Sequence, residues 1–270
     1  MDSVPLAIGA VSFYLSRHFH LNTPLLNVFF YVINYHYLIF MNNFFNYPGA
    51  KFFKVKIFLF DVRIEKVDLK DKEEIIELSK DSFEWGDYIE YVFDEWLRSG
   101  IFLKAVENGE ILGFLHVRLF DEFSWLEGLR VKKEYRRKGI ATELTKNAMK
   151  ISGKNIHRLM ILETNVPSIE LSKKLGFKPI DRVYYNYGEK KSADEIIREY
   201  NLIKKDEKLK ENYVDKWVYL DFKYYLDYIY SNHALSILKT DPPFVINGSI
   251  NYENISRSGG NECFIIFEKR

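Results

Sequence analysis

Thiols are almost missing from this chain, whose 270 residues include a single cysteine, Cys263. No intramolecular disulfide can form, which fits a reducing, cytoplasmic compartment, and multi-cysteine zinc sites are excluded. Cys263 opens the apolar stretch Cys263-Phe264-Ile265-Ile266-Phe267 and reads as a small packed residue, not a nucleophile. Net charge is missing as well. Lys+Arg 39 against Asp+Glu 38 leaves +1, so no overall field recruits nucleic acid or an anionic membrane. The six histidines lack metal-ligand spacing. His18 and His20 have no acid or thiolate beside them, and no metal is expected.

From His18 to Ala50 charge disappears altogether, while Phe, Tyr, Leu and Asn dominate. Pro24 to Phe40 falls just short of the roughly 20 apolar residues a bilayer needs, and Asn27, Asn34 and His36 interrupt it. Met1-Asp2-Ser3 gives no basic start and no small-residue cleavage site follows, which argues against a secretory signal. Three readings stay open: a membrane anchor through residues 18–50, an extension that packs on the rest, or translated sequence upstream of a start at Met41. Residues 1–60 are thus set apart from a unit over 61–190 and another over 191–270.

What the chain does have is a basic, glycine-bearing turn, Arg136-Arg137-Lys138-Gly139-Ile140-Ala141, between a strand and a helix. Such a turn can wrap backbone N–H groups around a pyrophosphate, where the positive end of the helix dipole adds attraction. Gly139 permits close approach and positive φ, and small Ala141 leaves the first helical turn uncovered. Phe123 to Val131 reads as the strand before it, and Ala141 to Ile151 as the amphipathic helix after it. Leu159 to Glu163 is a second apolar strand. Asn165, a helix from Pro167 to Leu175, and Gly176-Phe177 follow, with Pro and Gly at the expected helix ends. Upstream, Leu59 to Val67 predicts a strand and Lys72 to Ser79 a helix. Phe102–Val106 and Ile111–Leu119 flank Asn108-Gly109, a strong hairpin signal. Gly113 marks a bulge or a close backbone approach.

This series resembles the GNAT N-acetyltransferase superfamily, over roughly Val62 to Tyr187. The resemblance implies an α+β fold with a mixed, three-layer sheet that splays to admit a pantetheine arm. It also implies acetyl-CoA as donor and a primary amine, on a small molecule or a peptide, as acceptor. Carried onto this chain, Arg136, Arg137, Lys138, Gly139, Ile140, Ala141 and Thr142 hold the pyrophosphate. The backbone of Leu129, Arg130 and Val131 pairs with the pantetheine, and Asn165 either bonds it or caps the next helix.

Strand alternation places Trp125, Glu127, Leu129 and Val131 on one face. Glu127, the one acid within that strand, is the candidate base, or a structural acid paired with Arg118 or Arg130. Where the family often has a proton-donating tyrosine this chain has Ser172, a poorer acid. Tyr184, Tyr185, Tyr187 or water can take that part. The acidic, aromatic segment Asp81–Glu95 either lines the acceptor pocket or is a plain amphipathic helix. Beyond Tyr187 the match stops: Ser192–Tyr213 reads as helical, and 191–270 as an appended α+β subdomain. Trp125 to Val131, joined to a long C-terminal extension, also resembles amino-acid N-acetyltransferases of the histidine-acetylating type, which suggests a small amino acid. A non-catalytic acyl-CoA-binding module and a protein N-terminal or lysine acetyltransferase are the alternatives. The oligomeric state stays open.

Overall fold

A computed structural model describes residues 62–80 and 87–270, together with the backbone of 29–33 and 36–40. The chain divides into two compact units, 1–61 and 62–270. In the first, β1 (Phe29–Ile33) and β2 (His36–Phe40) form an antiparallel pair. The other expectations for residues 1–61, including a start at Met41, lie outside the described residues. No helix among the described residues is long and apolar enough to cross a membrane.

The second unit is built on one twelve-stranded mixed sheet. Its strands are β3 (Arg63–Lys66), β4 (Ile101–Glu107), β5 (Glu110–Leu119), β6 (Phe123–Val131), β7 (Ile156–Leu162), β8 (Lys178–Asn186), β9 (Ile203–Lys205), β12 (Ile229–Ser231), β13 (Ser236–Leu238), β14 (Phe244–Asn247), β15 (Asn254–Ser256) and β16 (Glu262–Lys269). Their order across the sheet is β3-β4-β5-β6-β7-β16-β8-β15-β14-β13-β12-β9. Neighbours are antiparallel except β6 with β7 and β14 with β15. Asn108 (φ 51) and Gly109 (φ 85) make the tight turn between β4 and β5, as their sequence predicts. At Gly113 a Cβ would lie 2.6 Å from the Arg130 carbonyl oxygen, so the strand approach there requires glycine.

Helices α1 (Lys72–Ser79) and α2 (Ile89–Arg98) cover one face of the early strands, where Ile75, Phe93 and Trp96 pack on Phe102 and Phe114. Helices α3 (Ile140–Ser152) and α4 (Val166–Lys174) cover the opposite face. Leu144 and Ala148, both 0% exposed, seat α3 against a core that includes Ile161 and Phe267. Full burial of a leucine contributes about 1.5–3 kcal/mol.

The expected boundary at 190/191 does not appear: residues 62–270 are one unit. The last strand, β16, lies between β7 and β8, so its Ile265 and Phe267 complete the central core. Residues 187–261 are therefore an insertion between two adjacent sheet strands, not an appended subdomain. The insertion prolongs the sheet through β15, β14, β13, β12 and β9, and α5 (Ala193–Glu199) packs on it through Ile196. Helix is thus confined to a short part of Ser192–Tyr213, and β9 follows it within that segment. A separate hairpin, β10 (Tyr213–Asp215) with β11 (Val218–Leu220), folds back over the sheet, where Tyr213, Val214, Val218 and Tyr219 meet Phe123, Trp125 and Ile266. Arg158 of β7, its side chain 7% exposed, bonds Glu268 at 2.9 Å and both oxygens of Asp221 at 3.2 Å. Burial makes the arrangement unforgiving, since stripping one partner from a buried pair costs about 3–5 kcal/mol.

Candidate active site

Strand β6 carries the site because its regularity breaks at one residue. Phe114 faces Arg130 and His116 faces Glu127, so Gly128 and Leu129 together oppose Leu115. This β-bulge turns on Gly128 at φ +67, where a Cβ would lie 2.2 Å from the Trp96 ring. The bulge resets the alternation. Trp125 packs on the face under the β10–β11 hairpin, whereas Leu129 and Val131 join the core beneath α3. The shared face expected for Trp125, Glu127, Leu129 and Val131 is therefore corrected: Glu127 keeps the face of Trp125, and the later pair does not.

Strands β6 and β7 pair only from Phe123–Ile156 to Trp125–Arg158. Further along, β7 continues to pair with β16 through Leu162 and Phe264, and its edge toward β6 parts from it. Glu127 comes two residues after the last pair. Its Oε1 accepts from Arg118 Nε at 2.7 Å and from His116 Nδ1 at 2.8 Å. Its Oε2 has no protein donor among the described residues, and the side chain is 11% exposed. His116 is fully buried, stacked at 4.5 Å on Trp96, with Nε2 2.7 Å from the Ser99 carbonyl. The imidazole thus bridges the Glu127 carboxyl group and the Ser99 carbonyl. The carboxyl group is thus held by two side chains on one oxygen, while the other has no partner among the described residues.

Arg130 points to the same face and pairs with Asp87 at 2.7 Å, its guanidinium 5.6 Å from the Tyr88 ring. Its side chain is thereby committed to a carboxylate instead of a phosphate. Burial pushes the Tyr88 phenol up, a shift opposed by Arg130 and reinforced by Glu127 and Asp87. The carbonyl of Leu129 accepts from Arg130 Nη1 and that of Val131 from Arg136 Nε, each at 3.1 Å. These are two of the backbone groups expected to meet the pantetheine.

At the end of β6 the chain enters α3 through positive φ at Arg137 (64) and Gly139 (90). Gly139 is the N-cap, and no side chain caps the helix. Unpaired amides at the positive end of a 13-residue helix form a ready anion site. Arg136, Arg137 and Lys138 are exposed around it, and a Cβ on Gly139 would meet nothing within 4 Å. The Ile140 side chain is buried in the core, so only its backbone faces a ligand there; Ala141 and Thr142 are half-buried.

Asn165 takes the capping role, its Oδ1 accepting from the Ser168 N–H at 3.3 Å. Ser172 is only 4% exposed. Tyr185 donates to Glu253 and Tyr187 bonds Glu262, and both phenols are pushed up, Tyr185 chiefly by burial and Tyr187 chiefly by that bond.

An acetyltransferase (GNAT) family profile matches residues 72–177. Over 150 residues, 48% of its length, the chain is 32% identical to an N-alpha-acetyltransferase of Sulfurisphaera tokodaii and covers 89% of that protein. The chain belongs to the GNAT acetyltransferase family. It is also 26% identical to a spermidine N(1)-acetyltransferase of Thermoplasma acidophilum, over 44% of this chain and 90% of the relative. A crystal structure from Thermoplasma acidophilum assigned as an acetyltransferase shares the fold, at TM-score 0.55 and 15% identity, covering 77% of this chain and 99% of that one.

As a GNAT enzyme the chain uses acetyl-CoA as co-substrate, and the residues present fit it. The uncapped α3 turn suits its pyrophosphate, and the gap between β6 and β7 suits its extended arm. The expected pairing of Glu127 with Arg118 is present, and Asp87 comes from the acidic segment 81–95. Sequence reasoning missed His116. The signal for it was there: counting forward from the Asn-Gly turn sets His116 and Arg118 on one face of β5, beside the only acid of β6.

Proposed function

We propose that the chain acetylates the primary amine of a small acceptor by direct attack within a ternary complex. The observation that carries this reading is Glu127 Oε2, without a partner among the described residues, at the point where β6 and β7 part. When bound, acetyl-CoA supplies the thioester carbonyl. Glu127 Oε2 takes a proton from the acceptor ammonium, directly or through water, while His116 and Arg118 hold the carboxylate by Oε1. The neutral nitrogen then forms the C–N bond as the C–S bond breaks, and the second proton it sheds on becoming an amide replaces the one given to the sulfur. Backbone groups released from the ladder at the Gly128 bulge are the candidate donors for the carbonyl oxygen. Tyr88, beside Arg130, is a phenol that can give a proton to the departing sulfur.

A small acceptor is favoured by the insertion. The carbonyl of Lys216, at the tip of the β10–β11 hairpin, lies 3.5 Å from Arg118 Nη1. The tip therefore narrows the approach to Glu127. A peptide α-amine is the second reading, favoured by the identity with the Sulfurisphaera enzyme. Initial rates with both substrates varied should give intersecting lines, with no acetylated protein detected by mass spectrometry. Parallel lines with an acetyl group on the chain would replace direct attack by a covalent route.

A further inference from the structure

The turn at the hairpin tip is made the expensive way. Lys216 (φ 47) and Trp217 (φ 62) both occupy the left-handed region, which non-glycine residues resist. The same chain uses Asn108-Gly109 where only a turn is needed. Something other than chain reversal accounts for Lys-Trp at this place, and the surroundings of Trp217 suggest what it is.

Trp217 is 38% exposed, its ring 5.2 Å from Tyr185 of β8 and 5.9 Å from Phe264 of β16. Tyr187, 56% exposed, stands edge-on to Tyr185 at 5.2 Å. On the other side, Lys216 turns its carbonyl to Arg118 of β5. The tip thus reaches from β5 to β16 and β8, and β6 and β7 run between those strands. It lies across the place where those two strands separate, on the face that carries Glu127.

The half-buried Tyr185 and the exposed Tyr187 have carboxylates behind them: Tyr185 donates to Glu253 at 2.5 Å, and Tyr187 bonds Glu262. A phenol donating to a carboxylate has a more electron-rich ring, and ring faces of that kind attract cations. The positive charge of Arg118 is met by Glu127, and Arg182 is met by Glu163. Lys190, with its side chain 86% exposed, reaches Glu253 only at 3.8 Å.

Resting on the acetyltransferase reading of Glu127, we propose that Trp217, with Tyr185 and Tyr187, is the specificity-determining wall that receives a second ammonium group of the acceptor. The substrate class is an aliphatic diamine or polyamine. One amine lies at Glu127 while the other sits against the aromatic faces.

The test compares 1,4-diaminobutane, spermidine, n-butylamine and a free amino acid with the full-length enzyme. The wild type should favour the diamines over butylamine at least tenfold in kcat/KM, mainly through KM. Trp217→Ala should bring the diamine kcat/KM down to the butylamine value, and Trp217→Phe should keep most of the preference. Glu253→Gln, which leaves the ring in place, should weaken the preference several-fold. Unchanged acetyl-CoA affinity shows that each variant is folded. A preference untouched by Trp217→Ala overturns the proposal, as does a wild type that acetylates butylamine or the amino acid as well as the diamine; the acetyltransferase reading then stands without it. No acetylation of any amine sinks both.

Discussion

Gly139→Glu should weaken acetyl-CoA binding at least about a hundredfold, or about 2.8 kcal/mol, at roughly 1.4 kcal/mol per tenfold. The reason is electrostatic. A carboxylate at the N-cap would sit among the uncapped amides of α3 and satisfy them itself, and it would repel a pyrophosphate from the same place. The free protein should tolerate the change. A Cβ at Gly139 meets nothing within 4 Å, and the cost of a positive φ on a non-glycine residue is about 1–3 kcal/mol. Gly139→Ala carries the same backbone strain without the charge, so it should lose much less affinity. Calorimetric titration of both folded variants with acetyl-CoA separates the two effects. Wild-type affinity in Gly139→Glu would remove the pyrophosphate from this turn.

Glu127→Gln should lower kcat about 10²–10⁴-fold, the usual worth of a positioned general base, with acetyl-CoA affinity close to wild type. The substitution is well matched to the site. The amide oxygen can still accept from His116 and Arg118, as Oε1 does now. Only the other acceptor, Oε2, becomes an N–H₂ donor. The loss should shrink as pH rises, because a larger fraction of the acceptor amine then arrives already neutral. Single-turnover rates across pH, for wild type and variant together, check both the size and this trend. A variant keeping more than half of the wild-type rate would leave Glu127 as a structural acid for His116 and Arg118.

What the sequence made visible, and what it hid, follows from the range of the interactions. Turns and helix ends are decided within a few residues. Asn108-Gly109, the Gly139 turn, the α1 span Lys72–Ser79 and the β6 span Phe123–Val131 all appear as read. The bulge was half legible. Gly128 is an isolated glycine within a strand, the sign taken as a bulge at Gly113. What requires glycine at 128 is the Trp96 ring, 32 positions earlier, and no local pattern reveals that contact.

The insertion was hidden for the same reason. Cys263–Phe267 read well as a strand, but its partners lie far upstream, with Phe264 facing Leu162 of β7 and Val183 of β8. An apolar run gives its own conformation, not its neighbours in the sheet. Ser172 shows a third limit. Its place in the helix aligned it with a proton donor, but that local pattern does not reveal that it is 4% exposed. The His116–Glu127 contact, by contrast, spans 11 positions across one hairpin, within reach of a careful register count.

The most direct measurement is product formation. Full-length protein would be incubated with acetyl-CoA and a pooled set of amines, with free-thiol release and acetylated products followed by mass spectrometry. The account predicts stoichiometric thiol release with an N-acetylated small amine, dependent on both substrates and strongly reduced in Glu127→Gln. Saturable acetyl-CoA binding with no acetylated small amine would contradict a small-molecule acetyltransferase and leave a macromolecular acceptor or a binding module in its place.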